Sequence, residues 1–287
     1  MIWLVFAILT AFFESLKDVS SKHSLRRLDA YLVAWVANIF AVMFLIPLLL
    51  IAGIPTITAQ FWIALVVGGS LNVVAFILYV KSIQIADLSL TVPLVTLTPL
   101  FLLITSPLIV HENPSVADAI GILLIVIGSY VLNLRERRNG YFAPLRSIWR
   151  NRGSRYMLMV AFIWSITSNF DKVGVVHSSP LFWSASLYGF LAIGMTPIAI
   201  FKSRRHFDQI VPNLKPLMLI GLFHAIAITF QMIAVTYTLV TQVIAIKRTS
   251  ALMSVLFGHF LFKEKGLQER LTGAAIMVSG VVIITLF

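Results

Sequence analysis

Lys247 and Arg248 stand side by side in VIAIKRTSALM, inside an otherwise apolar run. An ammonium and a guanidinium carry only donors, and together they suit a carboxylate or a phosphate. They lie about seven residues in from the end of their run, roughly 10 Å deep at ~1.5 Å per residue. In a bilayer, a cation at such a depth costs at least about 2.5–3.5 kcal/mol unless it meets water or a partner. One reading makes them the binding group for an anionic or zwitterionic molecule. The competing reading pairs one of them with Asp171, at similar depth in another apolar run, as a structural ion pair. Neighbours on a helix point about 100° apart, so the two need not face the same way.

A second set could handle protons or close a passage. Glu14, Lys17 and Asp18 fall three and four residues apart on one helical face, and Asp171 and Lys172 hold the corresponding place later in the chain. They read either as two symmetry-related ionic gates, with Glu14 as the candidate proton carrier, or as side chains that snorkel to headgroups and water. A third set, Asn72, Tyr79, His224 and Gln231, puts polar groups into apolar helices, where they glue helices together or line a pathway. Trp164 offers an apolar or cation–π wall, or simple packing. Enzyme chemistry finds no foothold. His111-Glu112-Asn113-Pro114 departs from the HExxH pattern, and nucleophile elbow, phosphate loop and metal-ligand spacing are all missing. With no cysteine among 287 residues, thiol catalysis, thiolate metal sites and disulfides are excluded. No enzymatic activity, metal or cofactor is expected.

The elements that must position these residues follow from composition. The chain is 59% apolar and 11% charged, against about 25% charged residues in soluble domains, so an all-α integral membrane protein is expected. Runs of about 20 apolar residues, the length that crosses a bilayer, fall at Ile2–Ser21, Tyr31–Ile51, Phe61–Ser82, Leu88–Val110, Val116–Leu134, Tyr156–Val176, Leu181–Phe201, Leu217–Tyr237, Thr241–Phe262 and Leu271–Phe287. These predict ten transmembrane helices. The opening MIWLVFAILTAFF lacks a basic start and a small-residue cleavage motif, and reads as a retained first helix.

The net charge of +11 is a topology signal rather than a nucleic-acid footprint. Counting Lys81 with the third connection, the odd-numbered connections hold 18 Lys and Arg and the even-numbered ones none. That bias places the odd connections in the cytoplasm and both termini outside, where the basic loops also meet anionic lipid. The densest is 135–155, RERRNGYFAPLRSIWRNRGSR, with seven arginines and one acid. It reads as a basic linker between residues 1–134 and 156–287.

Those halves repeat. A shift of 152 residues lays Gly69 on Gly221, Glu112 on Glu264, Gly121 on Gly273 and Gly128 on Gly280, and a shift of 154 brings Lys17-Asp18-Val19 onto Asp171-Lys172-Val173. Five helices per half is odd, so the second half enters the membrane upside down. Each basic connection in one half has a counterpart without Lys or Arg in the other, as an inverted repeat requires. Gly121/Gly128 and Gly273/Gly280 predict close packing of the fifth and tenth helices, and Glu112 and Glu264 predict local capping. The fourth helix carries Pro93, Pro99 and Pro107, a hinge or a static kink; its counterpart has no proline.

LIVHENPSVADAIGILLIVIGSYVL and IKRTSALMSVLFGHFLFKEKGLQERLTGAAIMVSGVVII share a pattern. An apolar helix end is followed by Glu, a short linker and a Gly-containing final helix. With the five-plus-five repeat, this resembles the EamA-type members of the drug/metabolite transporter superfamily, across essentially the whole chain. The resemblance implies a permease for a small organic metabolite. It implies alternating access around a midplane cavity walled by the first, third, fourth, sixth, eighth and ninth helices, export from the cytoplasm, and residence in a bacterial inner membrane. Lys247 and Arg248 favour an amino acid or organic anion as cargo. Several members of the superfamily have cytoplasmic termini, whereas the charge count here places both outside. The competing functions are uptake, flipping of an amphipathic or lipid-linked molecule, and, in another class, a non-transporting intramembrane enzyme or assembly factor.

Overall fold

The computed structural model describes residues 1–24, 28–86, 88–133, 142–262 and 267–287. Arg26, Arg27, Arg135, Glu136, Arg137, Arg138, Lys263, Glu264 and Lys265, named or counted above, lie outside the described residues. The described residues are helical with no strand. The helices are α1 (Ile2–Ser24), α2 (Ala30–Ala52), α3 (Ala59–Ile85), α4 (Leu88–Val95), α5 (Thr98–Ile109), α6 (Val116–Asn133), α7 (Ala143–Arg150), α8 (Arg152–Val176), α9 (Pro180–Ser203), α10 (Leu214–Tyr237), α11 (Val240–Lys247), α12 (Ser250–Phe262) and α13 (Leu267–Leu286). Six stretches among them are long and apolar enough to cross a membrane: Ala30–Ala52, Ala59–Ile85, Leu90–Ile109, Pro180–Gln209, Val211–Tyr237 and Val240–Phe257.

Local chemistry sets the ends. Asp29 caps α2 by accepting from the Tyr31 and Leu32 amides at 3.0 and 3.1 Å, and Gly53 closes it at φ 81°, its N–H reaching the Leu49 carbonyl. Ser115 and Asp118 form a reciprocal box at the start of α6, each side chain accepting from the other's amide. Ser179 caps α9 ahead of Pro180, accepting from the Phe182 amide at 3.2 Å.

Three expectations need correction. The fourth and ninth segments are not single helices. The fourth is broken at Thr96–Leu97 and the ninth at Arg248–Thr249, positions again 152 residues apart. The stretch 135–155 is not all linker. Pro144 in the first turn and inward-facing Ile148 build the short helix α7, and α8 begins at Arg152.

The helices gather into two compact units, each drawn from both halves of the sequence. One unit comprises Ile2–Val73 and Phe170–Tyr237. Here α1 packs on α10 through an aromatic seam in which Phe230 meets Phe6 at 5.7 Å and Phe13 at 5.9 Å. Helices α2 and α9 run antiparallel. Ser203 donates to Asp29 at one end, and the Trp35 indole donates to Thr196 at 3.0 Å seven residues further in. Gly221 admits Phe40, whose Cβ would lie 2.4 Å from an added methyl.

The other unit comprises Val74–Asn169 and Thr238–Phe287, with Met1. Its axis is the antiparallel pair α6/α13, where backbone lies on backbone. A Cβ on Gly128 would stand 2.6 Å from the Gly273 carbonyl oxygen, and one on Gly280 2.6 Å from that of Gly121. The glycines are therefore obligatory, since neither main chain can retreat without parting the helices. Around this pair a core of Leu94, Met157 and Val160 packs with Tyr79, Ile148 and Trp164.

Candidate functional site

The candidate residues fall into two groups, one in each unit. In the α6/α13 unit they centre on the two breaks. At the first, the Leu97 amide turns back to the Leu94 carbonyl and the Leu100 amide to Leu97, an i→i+3 pattern tighter than an α-helix. The second repeats it: Arg248 bonds to Ala245, Thr249 to Ile246, Ala251 to Arg248 and Leu252 to Thr249, all at 2.9–3.1 Å. Threonine hydroxyls donate to carbonyls at both breaks: Thr96 to Pro93 at 2.7 Å, Thr98 to Val95 at 2.8 Å, and Thr249 to Ile246 at 2.7 Å, beside its own amide. Pro99 accounts for the first break, since it lacks the amide that would bond the Val95 carbonyl, whereas Pro93 lies inside α4. The second has no proline and was invisible to that rule.

Lys247 and Arg248 are the last residue of α11 and the first of the break, both half-buried. The preceding turn, Val243 to Ile246, is buried to 3% or less, so the pair marks where an apolar rod becomes polar. Helix α12 starts two residues on, its positive end beside the same cations. The far end of α11 is capped in trans. Leu239 offers no side-chain cap, and instead Glu112 accepts from the Val240 amide at 2.8 Å, with Ser106 also donating to it. His111, the one non-glycine residue at positive φ among those described, makes the turn that precedes Glu112. Gln242 donates to Asp118 at 2.6 Å. Tyr79 and Trp164 meet with ring centroids 5.7 Å apart, both packed against the Leu94 core of the first broken helix. Asn169 donates to Thr105 and to the Ser165 carbonyl.

In the other unit, Lys17 forks between Glu14 at 2.6 Å and Asp18 at 3.5 Å. Glu14 is mostly buried and Asp18 half exposed. One partner of Asp171 was missed in the sequence: the buried Trp183 indole donates to it at 3.0 Å. Gly174 lets that indole in, since a Cβ there would lie 2.1 Å from the ring. Lys172 donates to the Val235 carbonyl at 2.5 Å. His224 meets a second missed residue, Tyr188, whose hydroxyl lies 2.7 Å from Nε2 with the rings edge to face. Glu14 and Asp171 lie in the same unit as this pair. Gln231 is buried nearby in sequence on α10, and Asn72 is half-buried on α3. Neither Trp183 nor Tyr188 was singled out in the sequence. The available signal was the buried acid itself, which needs a donor.

The sequence model of the EamA-like transporter family matches residues 1–134 and again 151–286. The chain belongs to the EamA-like transporter family. It is thus a multi-pass integral membrane protein of a family of small-molecule transporters, not of enzymes. A solved crystal structure superposes with a TM-score of 0.81 over 99% of this chain and 97% of the other, at 16% identity; at that identity the likeness speaks to the fold. Comparison with the curated proteins gives no match. The helix breaks and the Tyr188–His224 pair are among the places where polar chemistry enters apolar helices.

Proposed function

We propose that the protein carries a small organic anion or zwitterion, with an amino acid favoured, and that Lys247 and Arg248 form the charged part of its binding site. One observation carries the reading: the basic pair sits at a helix break whose twin lies at the repeat-equivalent position of the other half. Discontinuous helices are where transporters meet their cargo, because a break presents half-helix ends and local polar groups within an apolar wall. The positive end of α12 adds to the attraction for an anion. Tyr79 and Trp164 supply an aromatic wall in the same unit.

The antiparallel packing of α2 with α9 and of α6 with α13 supports two inverted halves, the arrangement that lets a site open to one side at a time. Asn72, His224 and Gln231 are the polar substrate-contacting candidates of the other unit. Lys17, Asp18, Asp171 and Lys172 serve as gates, and Glu14 carries the coupled proton. Export from the cytoplasm, in a bacterial inner membrane with basic loops inside, is supported by the family likeness and the charge bias.

The test is flux in liposomes holding purified protein and a mixture of labelled amino acids and organic acids. At least one acidic or zwitterionic compound is expected to move with the wild type and to slow tenfold or more with Lys247→Ala/Arg248→Ala at matched incorporation. Equal flux in the two proteins would make the pair structural. Movement of cations alone would overturn the substrate class.

A further inference from the structure

We propose that the α6/α13 unit holds a specific site for one anionic phospholipid, its headgroup on Arg152 and Arg155 and one acyl chain in an apolar cleft beside Phe101. The site does not depend on the transport reading.

Arg152, Arg155, Met159 and Phe162 follow one another at spacings of three, four and three along α8, so at about 100° per residue they form one stripe. All four are exposed, while Met157, Val160 and Ala161 on the opposite side of the helix are fully buried. The lower part of the stripe is concave. Met159 and Phe162, with Leu158, Ile163 and Phe101 of α5, line a cleft of about 320 Å³ that carries no polar side chain. Phe101 meets Phe162 edge to face at 5.5 Å, which fixes one wall.

Charge and depth choose the occupant. From Arg155 to Phe162 the helix rises roughly 10 Å at ~1.5 Å per residue, which places guanidinium groups at phosphate level when the cleft lies at acyl-chain level. Arginine forks match phosphate oxygens two at a time. Two such forks in line with a wholly apolar cleft complement an anionic lipid, whereas a zwitterionic headgroup brings its own cation. The next helix marks the same level. In α7, Trp149 is 88% exposed beside exposed Arg146 and Arg150, the arrangement of an interfacial anchor. That helix is held in place: Ile148 packs on the Leu94 core and the Ser147 and Ser154 hydroxyls meet at 2.7 Å. Lipid-facing apolar side chains are ordinary on any membrane helix. This stripe differs in joining a shallow apolar cleft to a pair of arginines on the same helix face.

The experiment is native mass spectrometry of the purified full chain in detergent, titrated with phosphatidylglycerol or phosphatidylcholine of the same chain length. The expected result is at least tenfold tighter binding of phosphatidylglycerol. That preference should disappear in Arg152→Gln/Arg155→Gln and survive in part in Arg152→Lys/Arg155→Lys, which keeps the charge. Phe162→Ala is expected to weaken both lipids, and Lys202→Gln/Arg204→Gln, at exposed cations of the other unit, to change neither. Unchanged preference in the double glutamine variant would overturn the proposal. Equal loss in the Lys202/Arg204 control, or displacement of the lipid by inorganic phosphate at the same concentration, would overturn it too, because either means charge alone without the cleft.

Discussion

Gly128→Ala is the sharpest test of how the α6/α13 pair is built. The new Cβ would stand 2.6 Å from the Gly273 carbonyl oxygen and 2.6 Å from both the Met277 amide nitrogen and its Cγ. Ordinary contact needs nearly 4 Å, and two of the three opposing atoms are backbone. The helices must therefore part by about an ångström, and overpacking of this kind costs about 1–3 kcal/mol. Alanine returns up to about 1 kcal/mol through its better helix propensity. The net loss is about 0–2 kcal/mol, equivalent to a fall of up to about 8 °C in apparent melting temperature for a chain of this size class. Gly189→Ala is the built-in control, because nothing lies within 4 Å of its added Cβ. It collects the propensity gain without the clash, so its melting temperature should hold or rise. Thermal unfolding in detergent, followed by size-exclusion chromatography of both variants and the wild type, decides the matter. If Gly128→Ala proved as stable as Gly189→Ala, the backbone-on-backbone contact would be wrong.

Three further outcomes are expected. Removing the trans cap of α11 with Glu112→Ala should cost about 0.5–2 kcal/mol, as lost helix caps do, read as a lower melting temperature; no change would mean another group caps Val240. Trp183→Phe keeps the aromatic body but withdraws the indole donor from buried Asp171, which should destabilise by about 1–3 kcal/mol, and Trp183→Phe combined with Asp171→Asn should lose less than the sum of the two separately. Glu14→Gln should abolish any flux driven by a pH gradient in liposomes while leaving counterflow of labelled substrate intact; gradient-driven flux at the wild-type rate would remove Glu14 from coupling.

Six of the spans were legible because crossing a bilayer imposes length and apolarity directly on composition. The glycine seam was legible for a similar reason: residues seven apart on one helical face admit few readings other than close approach. Breaks were half legible. Pro99 announces the first, while Arg248–Thr249 carries no breaker residue, and only laying the second half on the first at a shift of 152 would have pointed to it. Glu112 could be read as a cap, but its target, the Val240 amide, is 128 residues away, beyond any local pattern. Tyr188 and Trp183 were missed because an aromatic in an apolar helix looks like packing until its polar tip is seen to meet a histidine or an acid. Helix α7 was hidden inside a basic run whose charges outweighed the Pro144/Ile148 signal.

The glycine seam also sets a timetable. Gly121 can meet Gly280 only after another 159 residues have been made, and at about 5–20 residues per second that is a wait of roughly 8–32 s. Through that interval the backbone groove of α6 lacks the helix that fills it in the finished protein. The Glu112 cap on Val240 can close earlier, so the break region is pinned before the seam that braces it. A chain interrupted ahead of α13 keeps its breaks and loses its brace, and it presents an open glycine face to whatever surveys the bilayer for unfinished proteins.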